Sequence, residues 1–227
     1  MQNSDYFKQS TVLSVVALLL LVAGAIVGET AFPVTGQEQF EIIYALESYA
    51  RNLAGAEPAI RVVLLLDSIF ILSYIGAISF AIIGFSSRNL PVAWFCGLGI
   101  LVVMGLDYWE NISIMISLDL VKYGEAINVQ TMAQQALISS LKWHASATVL
   151  FAFSFLLPGK RLAEFLLVWG TRLGLAIAVP LFVINPFDLR AIGGLLILVS
   201  MASGFVLLAI VTWQNRFCKT KPKPAAW

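Results

Sequence analysis

The chain has 227 residues, 59% of them hydrophobic, with a mean hydropathy of +0.88 and a formal net charge of +1. Soluble domains hold about 45–50% apolar residues even with glycine included, so an ordinary water-soluble fold is excluded. The near-zero charge, with no basic patch interleaved with aromatics outside the C-terminal tail, gives no electrostatic case for a nucleic-acid partner.

Six apolar stretches approach or exceed the roughly 20 residues that a bilayer span needs. They cover about 11–28, 62–85, 92–118, 136–157, 165–184 and 191–213. The expected fold is all-α: a six-helix transmembrane bundle forming one membrane domain over 1–227. The first stretch follows Lys8 and ends near small residues, which also fits a signal peptide. It is long for the apolar core of a signal, which favours a true first span.

The largest loop, 29–61, holds helical periodicity over 38–54. Ile42, Ile43, Leu46, Tyr49, Ala50 and Leu53 share one face, and Glu41, Glu47, Ser48, Arg51 and Asn52 share the other. This pattern predicts an amphipathic helix on the outer side, packed over the ends of the spans or lying at the membrane surface. A lid over a site is the functional alternative.

Charged residues inside spans are the main functional signal, because each costs roughly 2.5–3.5 kcal/mol on insertion scales. Span two carries Asp67 and Tyr74 on one face, seven residues apart. Span three carries Asp107, Glu110 and Asn111 at i, i+3 and i+4, which makes one polar stripe. Span four carries Lys142 and His144, two residues apart and on nearly opposite sides. Only one of that pair can face the centre of a cluster. Lys142 shares its face with Ser139 and Ser146, and His144 with Ser140 and Thr148. Within the expected spans, Asp67, Asp107, Glu110, Asn111, Lys142 and His144 fall in a slab roughly 10 Å thick in the outer half of the bilayer. Three carboxyls then meet one ammonium and one imidazole in low dielectric. They cannot all stay ionised without help, so one or two should hold a proton or a bound cation.

Later in the chain, Arg172 lies about two turns inside span five and is expected to snorkel toward headgroups. Gly170 and Gly174 form a GxxxG pair suited to close helix packing. Pro180 should kink the same span, and Asn185-Pro186 opens a short turn. Gly193, Gly194, Ser200, Ala202, Ser203 and Gly204 make span six a small-residue helix. The basic tail from Arg216 to Lys223 should rest on anionic headgroups.

Basic residues set the orientation. Lys8, Arg88, Lys160, Arg161, Arg216, Lys219, Lys221 and Lys223 share the side of both termini, against Arg51, Arg61, Lys122 and Arg190 opposite. The positive-inside rule therefore places both termini in the cytoplasm, and a bacterial inner membrane is the expected location. Cys96 and Cys218 form no CxxC pattern or Cys/His cluster, so neither a disulfide framework nor a thiolate metal site is expected.

Other chemistries fit less well. Asp107, Glu110 and His144 are a conceivable metal set, but the single histidine and the absence of HxxxH or HExxH count against a tight site, so no metal is expected. One histidine excludes bis-histidine haem, leaves single axial ligation of a haem or chlorophyll-type pigment open, and identifies no cofactor. Ser68 or Ser146 with His144 and Asp67 lacks a nucleophile-elbow motif. Asn111-Ile112-Ser113 matches a glycosylation acceptor but lies within a span.

The expected partners are the lipid bilayer and a small ion or lipid ligand at the polar cluster. The leading expectation is a site that binds or moves a cation, a proton or a polar lipid headgroup. One alternative is an accessory subunit held to other membrane proteins, with the charges purely structural. Another is a membrane enzyme acting on a lipid-like substrate, with Glu110 and His144 as acid and base.

Overall fold

In lipid every backbone N–H and C=O must be satisfied within the protein, so the apolar stretches have little choice but helix. The computed structural model describes residues 3–31 and 37–217, and it is all-α. Helix α1 runs Asn3–Ala31. A 3-10 turn at Gln37–Glu41 leads to the short α2, Leu46–Gly55. Then follow α3 (Glu57–Phe85), α4 (Leu90–Lys122), α5 (Val129–Phe153), α6 (Leu162–Val183) and α7 (Arg190–Arg216). All six expected spans are present among the described residues, in α1 and in α3 to α7. Cys218, Lys219, Lys221, Lys223 and Trp227 lie outside the described residues.

Most helices extend beyond the apolar stretches that announced them. α5 starts at Val129 rather than 136, because Asn128 caps it by accepting from the Thr131 backbone N–H at 2.8 Å. Its polar first turns are invisible to hydropathy. α4 runs on to Lys122, where a charged patch marks the α2 end of the bundle. There Arg61 pairs with Glu57 at 2.8 Å and Asp119 at 2.6 Å, and Lys122 reaches Glu57 at 3.5 Å.

The spans form a ring. Each packs on its neighbours in chain order, and α7 closes the circle against α1. Their outer faces are apolar: Leu19, Leu65, Leu98 and Leu195 are exposed, as contact with lipid requires. α6 and α7 come into close backbone contact at Gly193. A Cβ there would lie 2.5 Å from the Phe182 backbone nitrogen. The GxxxG pair works at one position only. Gly174 faces Ser200, while a Cβ at Gly170 would meet nothing within 4 Å. Pro180 falls in the last turns of α6, which ends at Val183.

The expected amphipathic helix over 38–54 is shorter and broken. Residues 42–45 separate the 3-10 turn from α2. Tyr49 and Leu53 are buried as the periodicity requires, packed with Phe40, Ile60, Ile114, Leu118 and Met132. The Tyr49 ring meets Phe40 edge-on, with centroids 5.7 Å apart. Burial pushes its phenol up to about 12, so it stays neutral at physiological pH. Glu41 departs from the expected polar face, because the break turns it inward.

Arg172 does not reach freely for headgroups. Its Nε donates to Ser154 Oγ at 2.9 Å, beyond the end of α5, and the guanidinium lies 4.6 Å from the Phe155 ring centre.

Gly193→Ala should destabilise the protein by about 1–3 kcal/mol, since backbone blocks the added methyl. Gly194→Ala, whose Cβ would meet Phe182 at an ordinary 3.7 Å, should be neutral or mildly stabilising. Thermal unfolding of both variants in nonionic detergent checks the contrast.

Candidate functional site: a buried lysine among carboxylates

Lys142 projects from the middle of α5 and is buried. Its ammonium donates to Glu110 and lies 3.7 Å from Asp107 and 3.8 Å from Glu41. Glu110 also accepts from Ser139, one turn before Lys142 on the same face. Asp107 accepts from the Tyr74 hydroxyl of α3. Asn111 donates to Asp67 at 2.7 Å and accepts from Gln37 at 3.4 Å. Three spans and the 3-10 turn thus converge on one polar centre.

The helical faces produce this arrangement. The i, i+3, i+4 stripe on α4 turns inward as one unit, so Asp107, Glu110 and Asn111 are all buried. Asp67 and Tyr74 face the stripe from α3. Lys142 takes the inward side of α5, which puts His144 outside. His144 is exposed, and its Nδ1 pairs with the Ser140 carbonyl of its own helix at 2.8 Å. The histidine is therefore no neighbour of the cluster, and a Glu110–His144 acid–base pair has no geometry to support it.

The neighbouring aromatics divide in the same way. Trp143 borders the site: its indole N–H donates to Glu41 at 2.9 Å, and its ring lies 4.6 Å from the Lys142 ammonium. Trp109 is exposed on the outer face. The Tyr108 hydroxyl donates to the Ser68 carbonyl at 3.4 Å rather than to a carboxylate.

Glu41 and Gln37 are the members that the sequence does not announce. An acid in a polar loop reads as solvated, and no local signal links it to residues about a hundred positions away. Counted from Arg61 and Asp119, Asp67 lies about 9 Å and Asp107 about 18 Å along their helices. The slab keeps its expected thickness but sits nearer mid-helix, because α4 and α5 continue further than their apolar runs.

The cluster opens into a cavity of about 440 Å³ inside the ring. Gln37, Glu41, Asp67, Asp107 and Lys142 line its polar part. Phe70, Ile100, Phe153, Leu167, Leu175 and Leu208 line the rest, which is mostly apolar. The carboxylates surround the ammonium rather than converge on a point. Among the described residues, no three His, Cys, Asp or Glu side chains come together as a metal cage.

Lys142→Met should cost about 3–5 kcal/mol, because removing one partner of a buried pair leaves charge uncompensated. Adding Glu110→Gln to it should restore much of the loss. His144→Ala should stay within about 0.5 kcal/mol of the parent. Thermal unfolding of the four proteins in nonionic detergent reads all three outcomes.

Comparison of the chain with protein-family models, curated proteins and solved structures finds no match in any of the three.

Proposed function

We propose that this six-span membrane protein binds a positively charged group at the cluster around Lys142. The observation that carries this reading is the charge count of the buried cluster beside the cavity. Glu41, Asp67, Asp107 and Glu110 supply four carboxyls, and Lys142 supplies the only ammonium among them. Buried carboxylates without enough positive partners must take up protons or attract a cation. Lys142 balances Glu110 most directly. Glu41, Asp67 and Asp107 also border the open space, where an incoming cation meets them without displacing a helix.

The cluster also has the form of a binding site. A few convergent polar groups stand at one part of a mostly apolar cavity, whose volume lies within the roughly 300–1,000 Å³ usual for small-molecule sites. A purely structural network that fixed helix register would need no adjoining cavity. The excess of basic residues at the terminal side places both termini in the cytoplasm on this reading. The polar part of the cavity then lies toward the outer face of a bacterial inner membrane, beneath α2 and the 3-10 turn.

Purified protein in nonionic detergent should gain thermal stability saturably with a cationic probe, propylammonium or sodium. At a hundred times the dissociation constant the gain is about 2.7 kcal/mol. Asp107→Asn should weaken the effect for whichever probe produces it, and propionate should produce none. Equal stabilisation by propionate, or a response to both cations that Asp107→Asn leaves unchanged, would remove the basis of the reading.

A further inference from the structure

The cavity does not end at the charges. It continues from Lys142 past Ser146 and Leu150 to Phe153, the last residue of α5. Lys142 and Phe153 are eleven residue steps apart, about 16 Å along the helix. Leu167 of α6 and Leu208 of α7 line the same far part. A proton or an inorganic ion has no use for this extension.

The walls of the extension are kept open. Gly170 and Gly204 both line the cavity, and a Cβ at either would meet nothing within 4 Å. No close helix contact requires these glycines. Larger side chains there would fill the space and recover dispersion energy that an empty apolar cavity forfeits. Two hydroxyls of the lining are engaged by their own helices. Thr171 donates to the Leu167 carbonyl at 2.8 Å, and Ser203 donates to the Val199 carbonyl at 2.7 Å. What remains to meet an occupant is mainly hydrocarbon.

We propose that the occupant is a single-chain cationic amphiphile, with its head among the carboxylates around Lys142 and its tail along the apolar cavity toward Phe153. This rests on the cation-binding function proposed above and adds the tail to it. Charge decides the sign of the head. The carboxylates repel an anionic headgroup, and the Lys142 ammonium is already engaged by Glu110, Asp107 and Glu41. Volume decides the chain count. A cavity of about 440 Å³ lies toward the small end of the ligand-site range and holds one chain. The Trp143 ring, 4.6 Å from the Lys142 ammonium, also lines the cavity, and an aromatic ring there favours a cationic head over an anionic one.

The test compares dodecylammonium, propylammonium and dodecanoate on the full chain in nonionic detergent, with affinities taken from ligand-dependent melting. The variants are Gly170→Leu with Gly204→Leu, which fills the apolar part, and Asp107→Asn, which alters the polar part. Filling should weaken dodecylammonium about tenfold or more and leave propylammonium unchanged. Asp107→Asn should weaken both amines, and dodecanoate should not bind. If the filled variant does not fold, Gly170→Ala with Gly204→Ala replaces it and should weaken dodecylammonium alone, by a smaller factor. Loss of both amines in Asp107→Asn, with filling harmless to dodecylammonium, would overturn the tail and leave the cation site standing. Amine binding that ignores Asp107→Asn would overturn both. Tighter binding of a two-chain aminolipid than of dodecylammonium would overturn the single-chain assignment.

Discussion

One ammonium group buried in a membrane span constrains the rest of this protein. A desolvated Lys142 is tolerable only if carboxylates reach it, and they come from two different elements, α4 and the 3-10 turn before α2. Meeting that demand sets the rotation of α5, because the helix must point Lys142 inward and so must point His144 outward. It aligns α4 against α5 through Glu110, Ser139 and Lys142. It also draws Glu41 under α2, where the Trp143 indole holds the second carboxylate oxygen. The polar centre thus acts as a register mark for the helices as well as a candidate site.

A closed ring of spans has a second consequence. No helix runs through the middle, so the interior must be filled by side chains or remain open. Around Phe7, Phe85 and Phe153 large side chains fill it. Between α1, α3, α5, α6 and α7 glycine and serine leave room, and the cavity follows. The same polypeptide therefore presents hydrocarbon to lipid on its outside and a long, partly polar space on its inside. The charges stand at one part of that space.

Local chemistry accounts for most of what was legible before the structure. The stripe Asp107, Glu110 and Asn111 depends only on helical periodicity, and it turns inward whole. Lys142 and His144 could not both face the centre, since two residues on a helix differ by about 200°. The sequence leaves the choice between them open. Packing made it, because the carboxylates of α4 require an ammonium more than an imidazole that its own helix can satisfy. Glu41 was illegible for the opposite reason. Its partners lie about a hundred residues away, and the break at 42–45 that turns it inward carries no proline or glycine to announce it.

What the sequence by itself determined is the set of elements. Six apolar runs this long must be helices in lipid, because a barrel strand crosses in about ten residues and within a single segment only a helix satisfies the backbone hydrogen bonds. Periodicity of 3.6 then sets which polar residues share a face. Only the tertiary structure decided that α7 closes on α1, that Glu41 joins the cluster, that Arg172 lies against Ser154, and that a cavity continues below Lys142. Each of these depends on contacts between residues far apart in the chain. Such contacts are selected by the joint packing of all the helices, and no local pattern of hydropathy or charge encodes them.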